Sequence, residues 1–591
     1  MSDIAPPTIL LDSCSPDRFS TSWRFDGHIR TLVAETSDQV VSVLEQAEAA
    51  TKQGLYAVGF VAYEAARALN PHLPSLAPET GLPLAWFALF KKRWAVAAAQ
   101  GLPPAVADAP ELAPSCSPAD YGIAISRIHT AIEQGESYQI NHTFPLEGAW
   151  QGDPLQLYHS LLQTQQPAFG AFLDIGSHAV ISASPELFFT VQDGKITTRP
   201  MKGTAPRGKF VAEDQALAEE LCRNSKEQAE NLMIVDLLRN DLGQIARTGT
   251  VQTEKLFEVE TYPTVHQMTS TITAKLLPET SLVAIFQALF PCGSVTGAPK
   301  RRSMELIAAI EGQPRGIYCG TIGYLAPGGE MAFSVAIRTL MQNRQTSLIS
   351  LGVGSGITWD ARPDTEYVEC LHKAAFLKPG PRPRLLESLL LDGGSYPLLE
   401  RHLERLCWSA ARLGYCCDRE QIRQALLEHA TGGGMDGQHK TRLLLAADGG
   451  FQVESSLLQP LVQPLKLAIA ATPLVDPTDL LLYLKTEHRQ RYDQARQGHP
   501  EADEVLLCNR RGELTEGSFT NLVLKLDGRM ITPLLGCGLL PGVMRQQLLE
   551  QGTLAEQVIY PQDLQRAEEI WLINSVRGWL RAELMEGVRT C

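Results

Sequence analysis

The run LKPGPRP, residues 377–383, cannot continue a helix or a central strand, because its three prolines remove backbone donors and its glycine adds freedom. It follows the helical pattern HKAAF and precedes a new apolar run, so the main domain boundary is predicted there. With 591 residues, 44% of them apolar, the chain has material for two or more packed cores. A second break, GLPPAVADAPELAPSCSPAD at 101–120, sets off an N-terminal portion, 1–118, from a middle segment, 119–377. The linker is 378–384 and the C-terminal segment 385–591. After the second break Ser117 reads as an N-cap, Pro118 as the first helical position, Ile125, Ile128 and Ile132 as one apolar face, and Gly135 as the stop. Alternating strand-like runs and helices are interspersed throughout, which predicts mixed α and β structure.

Composition removes several functions. A formal charge of −14 argues against general nucleic-acid binding, which needs clustered Lys and Arg to displace counterions. Anionic small substrates would have to be held by local charge. There is no apolar run of membrane-spanning length and the start lacks signal-peptide features, so no membrane role is expected and the cytosol is the default. The twelve cysteines include no CxxC pair, which leaves them as reduced thiols rather than zinc ligands. No P-loop or HExxH occurs, and GVGSGI at 352–357 is too short to count as a dinucleotide fingerprint.

The text AVISASPELFFTVQDGKITTRPMKG reads as two strands turning at Asp193-Gly194. A three-residue loop with Gly194 in the left-handed region would set Glu186 directly across from Lys202, about 5 Å apart at Cβ, and this is the register expected. Such a pair can be a plain salt bridge. Further on, SKEQAENLMIVDLLRNDLGQIA is a helix carrying Glu230. PDTEYVECLHKAA is another, with Pro363 in its first turn and Glu366 and Glu369 on one face. Their carboxylates can simply favour a helix N-terminus, or they can offer hard oxygen ligands to Mg²⁺.

SASPELFF, TRPMKGTAPRG, ENLMIVDLLRNDLG, PCGSVTGAPKRRSMELI, RGIYCGTIGYL, FSVAIRTL and GVGSGITWDARPDTEYVE stand in the order found in the chorismate-utilising enzymes, which the segment 119–377 resembles. The resemblance implies a two-sheet α/β sandwich with the active site between the sheets. It implies Mg²⁺ held by Glu230 and Glu369 with Glu366 nearby. Tyr318, Arg338 and the backbone at Gly352 and Gly354 would hold the enolpyruvyl carboxylate, and His266 and Ser294 would flank the ring. An arginine suits a carboxylate because its planar fork donates two parallel hydrogen bonds.

Two positions discriminate within the family. Isochorismate and salicylate synthases carry a water-activating lysine where this chain has Gln139, and a neutral amide cannot act as that base. Anthranilate synthases carry a small residue where this chain has Lys202, whereas a lysine there marks aminodeoxychorismate synthases. The resemblance therefore implies that Lys202 attacks ring carbon C2 while Glu186 protonates the departing C4 hydroxyl, after which ammonia adds at C4. No cysteine lies in a glutaminase-like elbow, so free ammonia or a separate glutamine amidotransferase subunit is implied. LLDS at 10–13 is similar to a segment that holds tryptophan in some members, and ordinary sheet structure is the plainer reading.

In the C-terminal segment, LLESLLLDGGSYPLLERHLERLCWSAARLG, YLKTEHRQRYDQA, EADEVLLCNRRGELTEGSFTNLVL, GCGLLPGVMRQQLLEQG and IWLINSVRG together resemble the fold-type IV, or class IV, aminotransferases. Taken singly, Lys485 could be a solvated residue and LTEG a strand edge. The resemblance implies pyridoxal 5′-phosphate, with Lys485 as the lysine that bonds to it, Glu516 on the pyridine nitrogen, Arg405 on the phosphate, and backbone amides near Gly542, Val543 and Ser575 completing the phosphate cup. The domain is shortened at its front, and leucines and Glu387-Ser388 replace the usual aromatic and threonine. A homo-oligomer through this domain is an option. The fold expected is thus α+β and multidomain, and the two segments together imply C4 amination of chorismate followed by release of pyruvate to give 4-aminobenzoate. The alternative is an anthranilate-synthase-like enzyme, or an aminodeoxychorismate synthase whose C-terminal segment is an aminotransferase of other amino acids or a non-catalytic module.

Overall fold

The computed structural model of the chain describes residues 6–14, 21–79, 81–99, 102, 109–377, 382–432 and 437–585. Residues 101, 103–108 and 378–381 of the two predicted breaks, and the first five residues, lie outside them. The chain divides into two compact units, Met1–Arg207 with Ala216–Pro379, and Gly208–Gln215 with Gly380–Cys591. This departs from the sequence-based division, which kept 208–215 in the middle segment. The strands of the N-terminal portion share a sheet with those of the middle segment.

In the first unit 18 strands form one hydrogen-bonded network, where two separate sheets were expected. One half runs from Gln252–Thr261 through Val265–Lys275, Lys195–Arg199, Leu187–Gln192, Met331–Val335, Thr321–Leu325, Tyr56–Val61 and Ala85–Val96 to Ser22–Ala34. The other runs from Phe169–Asp174 through His178–Ser184, Thr339–Asn343 and Leu348–Ile357 to Gln139–Ala149. The short strand Thr8–Asp12 joins the halves, with five residue pairs to Phe169–Asp174 and two to Ser22–Ala34.

Each half has its own helices and its own core. Val40, Leu44 and Ala47 of helix Ser37–Lys52 and Ile234, Val235 and Leu238 of helix Ser225–Gly243 bury with Phe189 and Phe333. Tyr121, Ile125 and Ile128 of helix Pro118–Glu133 bury with Leu157, Leu161, Ile349 and Leu351. Helix Pro118–Glu133 begins as the sequence predicts, with the Ser117 side chain accepting from the Asp120 amide at 3.2 Å and Pro118 inside the first turn.

The hairpin at Asp193-Gly194 forms in a different register from the one expected. Asp193 (φ 52°) and Gly194 (φ 72°) both adopt left-handed conformations, which gives the two-residue turn and pairs Lys195 with Gln192. A register shift between Thr197 and Arg199 then brings Arg199 opposite Leu187. Lys202 therefore does not pair across from Glu186. It belongs to the next strand, Met201–Pro206, which pairs with Val265–Lys275.

The second unit contains a three-stranded antiparallel sheet of Leu385–Leu391, His439–Leu445 and Phe451–Leu457. Helix Leu399–Leu413 lays Leu399, Leu403, Leu406 and Ala410 on that sheet, a spacing of four, three and four residues. Gly414 ends it at φ 66°, in the left-handed conformation that glycine tolerates. An eight-stranded sheet follows. Leu514–Gly517, Glu504–Cys508, Leu465–Ile469, Gly578–Leu584, Glu569–Asn574 and Asn521–Leu526 pair in sequence, and Asn521 pairs back onto Glu516 to close the ring. Leu467, Ile469, Leu506, Leu522, Leu524 and Leu572 form its core.

Candidate functional site

The first site lies between the two halves of the sheet in the first unit. Strand Leu348–Ile357 presents Gly352, Gly354 and Gly356 at alternate positions, hence on one face. A Cβ on Gly352 would stand 2.2 Å from the Tyr318 ring, and one on Gly356 would stand 2.2 Å from both Gln139 Nε2 and Lys202 Nζ. The face is bare because aromatic, amide and amine groups lie directly against the backbone. Gln139 is buried with its Oε1 unpartnered.

Lys202 Nζ is 3.5 Å from Glu230 Oε2. Its charge also acts on Glu186, Glu227, Glu366 and Glu369, so one ammonium serves five carboxylates. The Asn231 side chain donates to the Lys202 carbonyl at 3.2 Å and fixes the backbone beneath it. Gly203, at φ 96°, would place a Cβ 3.0 Å from Glu227 Oε2, so glycine there lets the helix Ser225–Gly243 come close. Glu186 is buried. Desolvation pushes its carboxyl up to about 7, although Ser294 Oγ donates to it at 2.6 Å.

Arg338 sits at φ 49°, desolvation lowers its pKa, and no carboxylate pairs with its guanidinium among the described residues. An unpaired, desolvated cation is a receptor for an anion. Burial likewise raises the Tyr318 hydroxyl well above its usual range. His266 is buried on the strand beside that of Lys202, opposite Ala205, with Nδ1 3.2 Å from Thr261 Oγ1. Lys373 Nζ bridges Glu369, at 2.8 Å, and the Gly354 carbonyl, at 2.9 Å.

Glu227, which the sequence reading passed over, stands one helical turn before Glu230, as Glu366 stands before Glu369. Burial raises the carboxyls of Glu227 and Glu366, and neighbouring carboxylates raise them further. Among the described residues no three His, Cys, Asp or Glu side chains form a ready metal cluster, and ammonium groups stand beside Glu230 and Glu369. The donor chemistry, mutually repelling carboxylate oxygens on two helices, nevertheless fits a hard divalent cation.

The second site lies in the second unit. The Leu386 amide donates to the Lys485 carbonyl at 2.8 Å, which ties Lys485 to the first strand of that unit. Desolvation, with the Arg405 charge, lowers the half-buried Lys485 amine to about 8. Glu516 is buried and pushed up to about 7 by desolvation, and it accepts from the Tyr492 hydroxyl at 2.7 Å. Asn521 reaches Glu516 at 3.4 Å and the Leu540 carbonyl at 3.1 Å. A Cβ on Gly542 would lie 1.9 Å from Asn521 Oδ1, so a larger residue at this N-cap of helix Val543–Glu550 would push the Asn521 side chain away.

Arg405 donates to both oxygens of buried Glu387, at 2.9 and 2.6 Å, and to the Pro541 carbonyl at 3.0 Å. Of its five N–H groups this leaves two without a partner among the described residues. His402 Nδ1 shares Glu387 at 2.7 Å, while the buried Nε2 has no partner among the described residues. Burial would raise the Glu387 carboxyl, yet Arg405 and His402 hold it at about 2. Ser575 Oγ lies 3.4 Å from the Ser388 carbonyl, beside Glu387, and Val543 is buried at the helix start. Amine, buried acid, oriented arginine and helix N-terminus fit a phosphorylated pyridine aldehyde.

Residues 6–379 match the chorismate binding enzyme family, and residues 384–584 match amino-transferase class IV. The chain is 40% identical over 254 residues to aminodeoxychorismate synthase component 1 of Salmonella typhimurium strain LT2, a stretch that is 43% of this chain and 56% of that protein. It is 41% identical over 254 residues to aminodeoxychorismate synthase component 1 of Escherichia coli strain K12, covering 43% and 55%. The chain thus spans little more than half the length of these relatives. The crystal structure of anthranilate synthase component I from Streptococcus pneumoniae TIGR4 superposes with a TM-score of 0.53 at 25% identity, over 64% of this chain and 93% of that one.

Proposed function

We propose, from the premise that this chain belongs to the chorismate binding enzyme family, that its first unit aminates chorismate at C4 and its second unit removes pyruvate from the product to give 4-aminobenzoate. Lys202 carries the reading. It is a lysine packed onto a bare glycine face beside Gln139, among five carboxylates. That arrangement supports a nucleophile, where a neutral amide at 139 cannot activate water.

In this reading the Lys202 amine bonds to C2, the ring double bonds shift and the C4–O bond breaks. Glu186 gives the hydroxyl the proton with which it leaves as water. Ammonia then bonds to C4 and loses a proton to the Glu186 carboxylate, the double bonds shift back, and the C2–N bond to Lys202 breaks. Arg338, Tyr318 and the backbone at Gly352 and Gly354 hold the enolpyruvyl carboxylate, with His266 and Ser294 against the ring. Glu230, Glu369 and Glu366, together with Glu227, would hold Mg²⁺, which supplies charge neutralisation at the ring carboxylate.

In the second unit Lys485, Glu516, Arg405, Gly542, Val543 and Ser575 would hold pyridoxal phosphate, which supplies an electron sink for the charge left at C4. The Lys485 amine takes the C4 proton. Glu516, fixed by Tyr492 and Asn521, holds a proton toward the pyridine nitrogen. Ammonia comes from a separate glutaminase subunit, and the work is cytoplasmic. Among the described residues no helix is long and apolar enough to cross a membrane.

Purified chain incubated with chorismate, ammonium, Mg²⁺ and pyridoxal phosphate is expected to form 4-aminobenzoate and pyruvate in equal amounts. Anthranilate as the product would overturn the first assignment. Accumulation of aminodeoxychorismate without pyruvate would overturn the second.

A further inference from the structure

We propose that Cys407 and Cys417 form a redox-active dithiol, closing to an intramolecular disulfide when a peroxide oxidises it. The two sulfurs lie 3.6 Å apart and both residues are half-buried, with Cys417 packed against the core of the three-stranded sheet. The chain brings them together by a specific route. Cys407 sits in the last two turns of helix Leu399–Leu413, Gly414 reverses the chain, and the Tyr415 amide bonds back to the Ala410 carbonyl at 2.8 Å. The returning strand of chain thereby passes the helix at the level of Cys407.

Neighbouring residues on an extended chain face opposite ways, which separates the two adjacent cysteines. Cys416 is exposed, its amide held by the Ala447 carbonyl at 3.1 Å and its Cβ 3.1 Å from where a Cβ on Gly449 would stand. Cys417 turns inward to Cys407. A disulfide is about 2.05 Å long, so the sulfurs have about 1.5 Å left to close, within reach of side-chain rotation. The contact with Cys417 and the Arg419 charge lower the Cys407 thiol below its usual range against the effect of burial, which favours Cys407 as the attacking sulfur.

The Cys407 thiolate attacks one peroxide oxygen, the O–O bond breaks, and water leaves after the second oxygen takes a proton, giving a sulfenic acid. The Cys417 sulfur then attacks that sulfur, the S–O bond breaks and a second water leaves. The two thiols give up two electrons and two protons, and the peroxide accepts both. This proposal does not rest on the activity proposed above.

The test is to treat the reduced full-length protein with equimolar hydrogen peroxide, alkylate remaining thiols and map the peptides. A cross-link between the peptides containing Cys407 and Cys417, lighter by two hydrogens and reversed by dithiothreitol, is expected. Cys407→Ser and Cys417→Ser, each checked for native circular dichroism, should lose it, while Cys416→Ser keeps it. A cross-link through Cys416, sulfinic acid at Cys407 without a cross-link, or free alkylation of both thiols after peroxide would each overturn the assignment. The mapping of the unmutated protein decides the matter even where a variant fails to fold.

Discussion

The Lys202 ammonium lies 3.5 Å from the Glu230 carboxylate, the same carboxylate assigned to Mg²⁺. In the proposed reading lysine and metal would share one acceptor, and a bound cation would displace the lysine from it. Lys202→Ala is expected to bind Mg²⁺ at least as tightly as the unmutated protein in titration calorimetry, while C4 amination falls by about 10³-fold or more. Amination at an unchanged rate would end the nucleophile assignment.

Burial, outweighing the Ser294 hydrogen bond and the Lys202 charge, holds Glu186 to about 7, so its acidic proton is present below that pH and lost above it. The pH profile of amination should fall as pH rises through about 7, and Glu186→Gln should lose about 10²- to 10⁴-fold and that limb of the profile. The same proton bears on stability. The raised value means Glu186 contributes most below its usual 4.5, with the contribution lost as pH rises through about 7. Because Gln mimics the protonated acid, urea midpoints of protein and variant should coincide at low pH and separate as pH rises through about 7, where the variant should be the more stable.

The nearest atoms a methyl group at position 356 would meet are the movable ends of Gln139 and Lys202, both at 2.2 Å. The fold can accommodate it by swinging those ends away. Gly356→Ala should keep its melting temperature within a few degrees yet lose about 10²-fold in amination rate, the cost of displacing a reacting atom by about 1 Å. A variant that melts early at full specific activity would contradict this.

The Lys485 amine, lowered to about 8 by desolvation and Arg405, is protonated below that pH and free above it. The rate at which the protein takes up pyridoxal phosphate, followed by absorbance, should rise as pH increases through about 8 and then level. Lys485→Ala should retain no cofactor through gel filtration. Retention by that variant would place the attachment elsewhere.

Glu387 owes its low value of about 2 to Arg405 and His402, against burial. Glu387→Gln leaves the Arg405 charge buried and without its partner, which should destabilise the protein by about 3 kcal/mol in denaturant melts. The contribution of Glu387 is present above its usual 4.5 and lost as pH falls through about 2, so the difference between protein and variant should shrink in strong acid.

The residues of both candidate sites could be named from the sequence because they stand in fixed order within long motifs. What escaped was set by tertiary geometry. The Glu186 to Lys202 register failed because Asp193 itself adopts a left-handed conformation, and because a register shift follows at Thr197 to Arg199. Glu227 carried a signal, three residues before Glu230 on one helix, and the alternation of Gly352, Gly354 and Gly356 spelled a single strand face. Glu387 and His402 carried none, since a carboxylate and an imidazole in LLES and ERHLERL reveal their pairing only once helix and strand pack. The grouping of 208–215 with the second unit was equally hidden, because sequence adjacency argued for the first.

Strand Tyr56–Val61, with five of its six positions buried, pairs on one edge with Ala85–Val96 and on the other with Thr321–Leu325. A ribosome adding roughly 5–20 residues per second needs tens of seconds to reach the second neighbour. Throughout that interval a finished hydrophobic edge is offered to any passing strand. Heat or rapid overproduction should thus harm the newborn polypeptide sooner than the completed one, and holding chaperones should raise its yield more than they protect the mature protein.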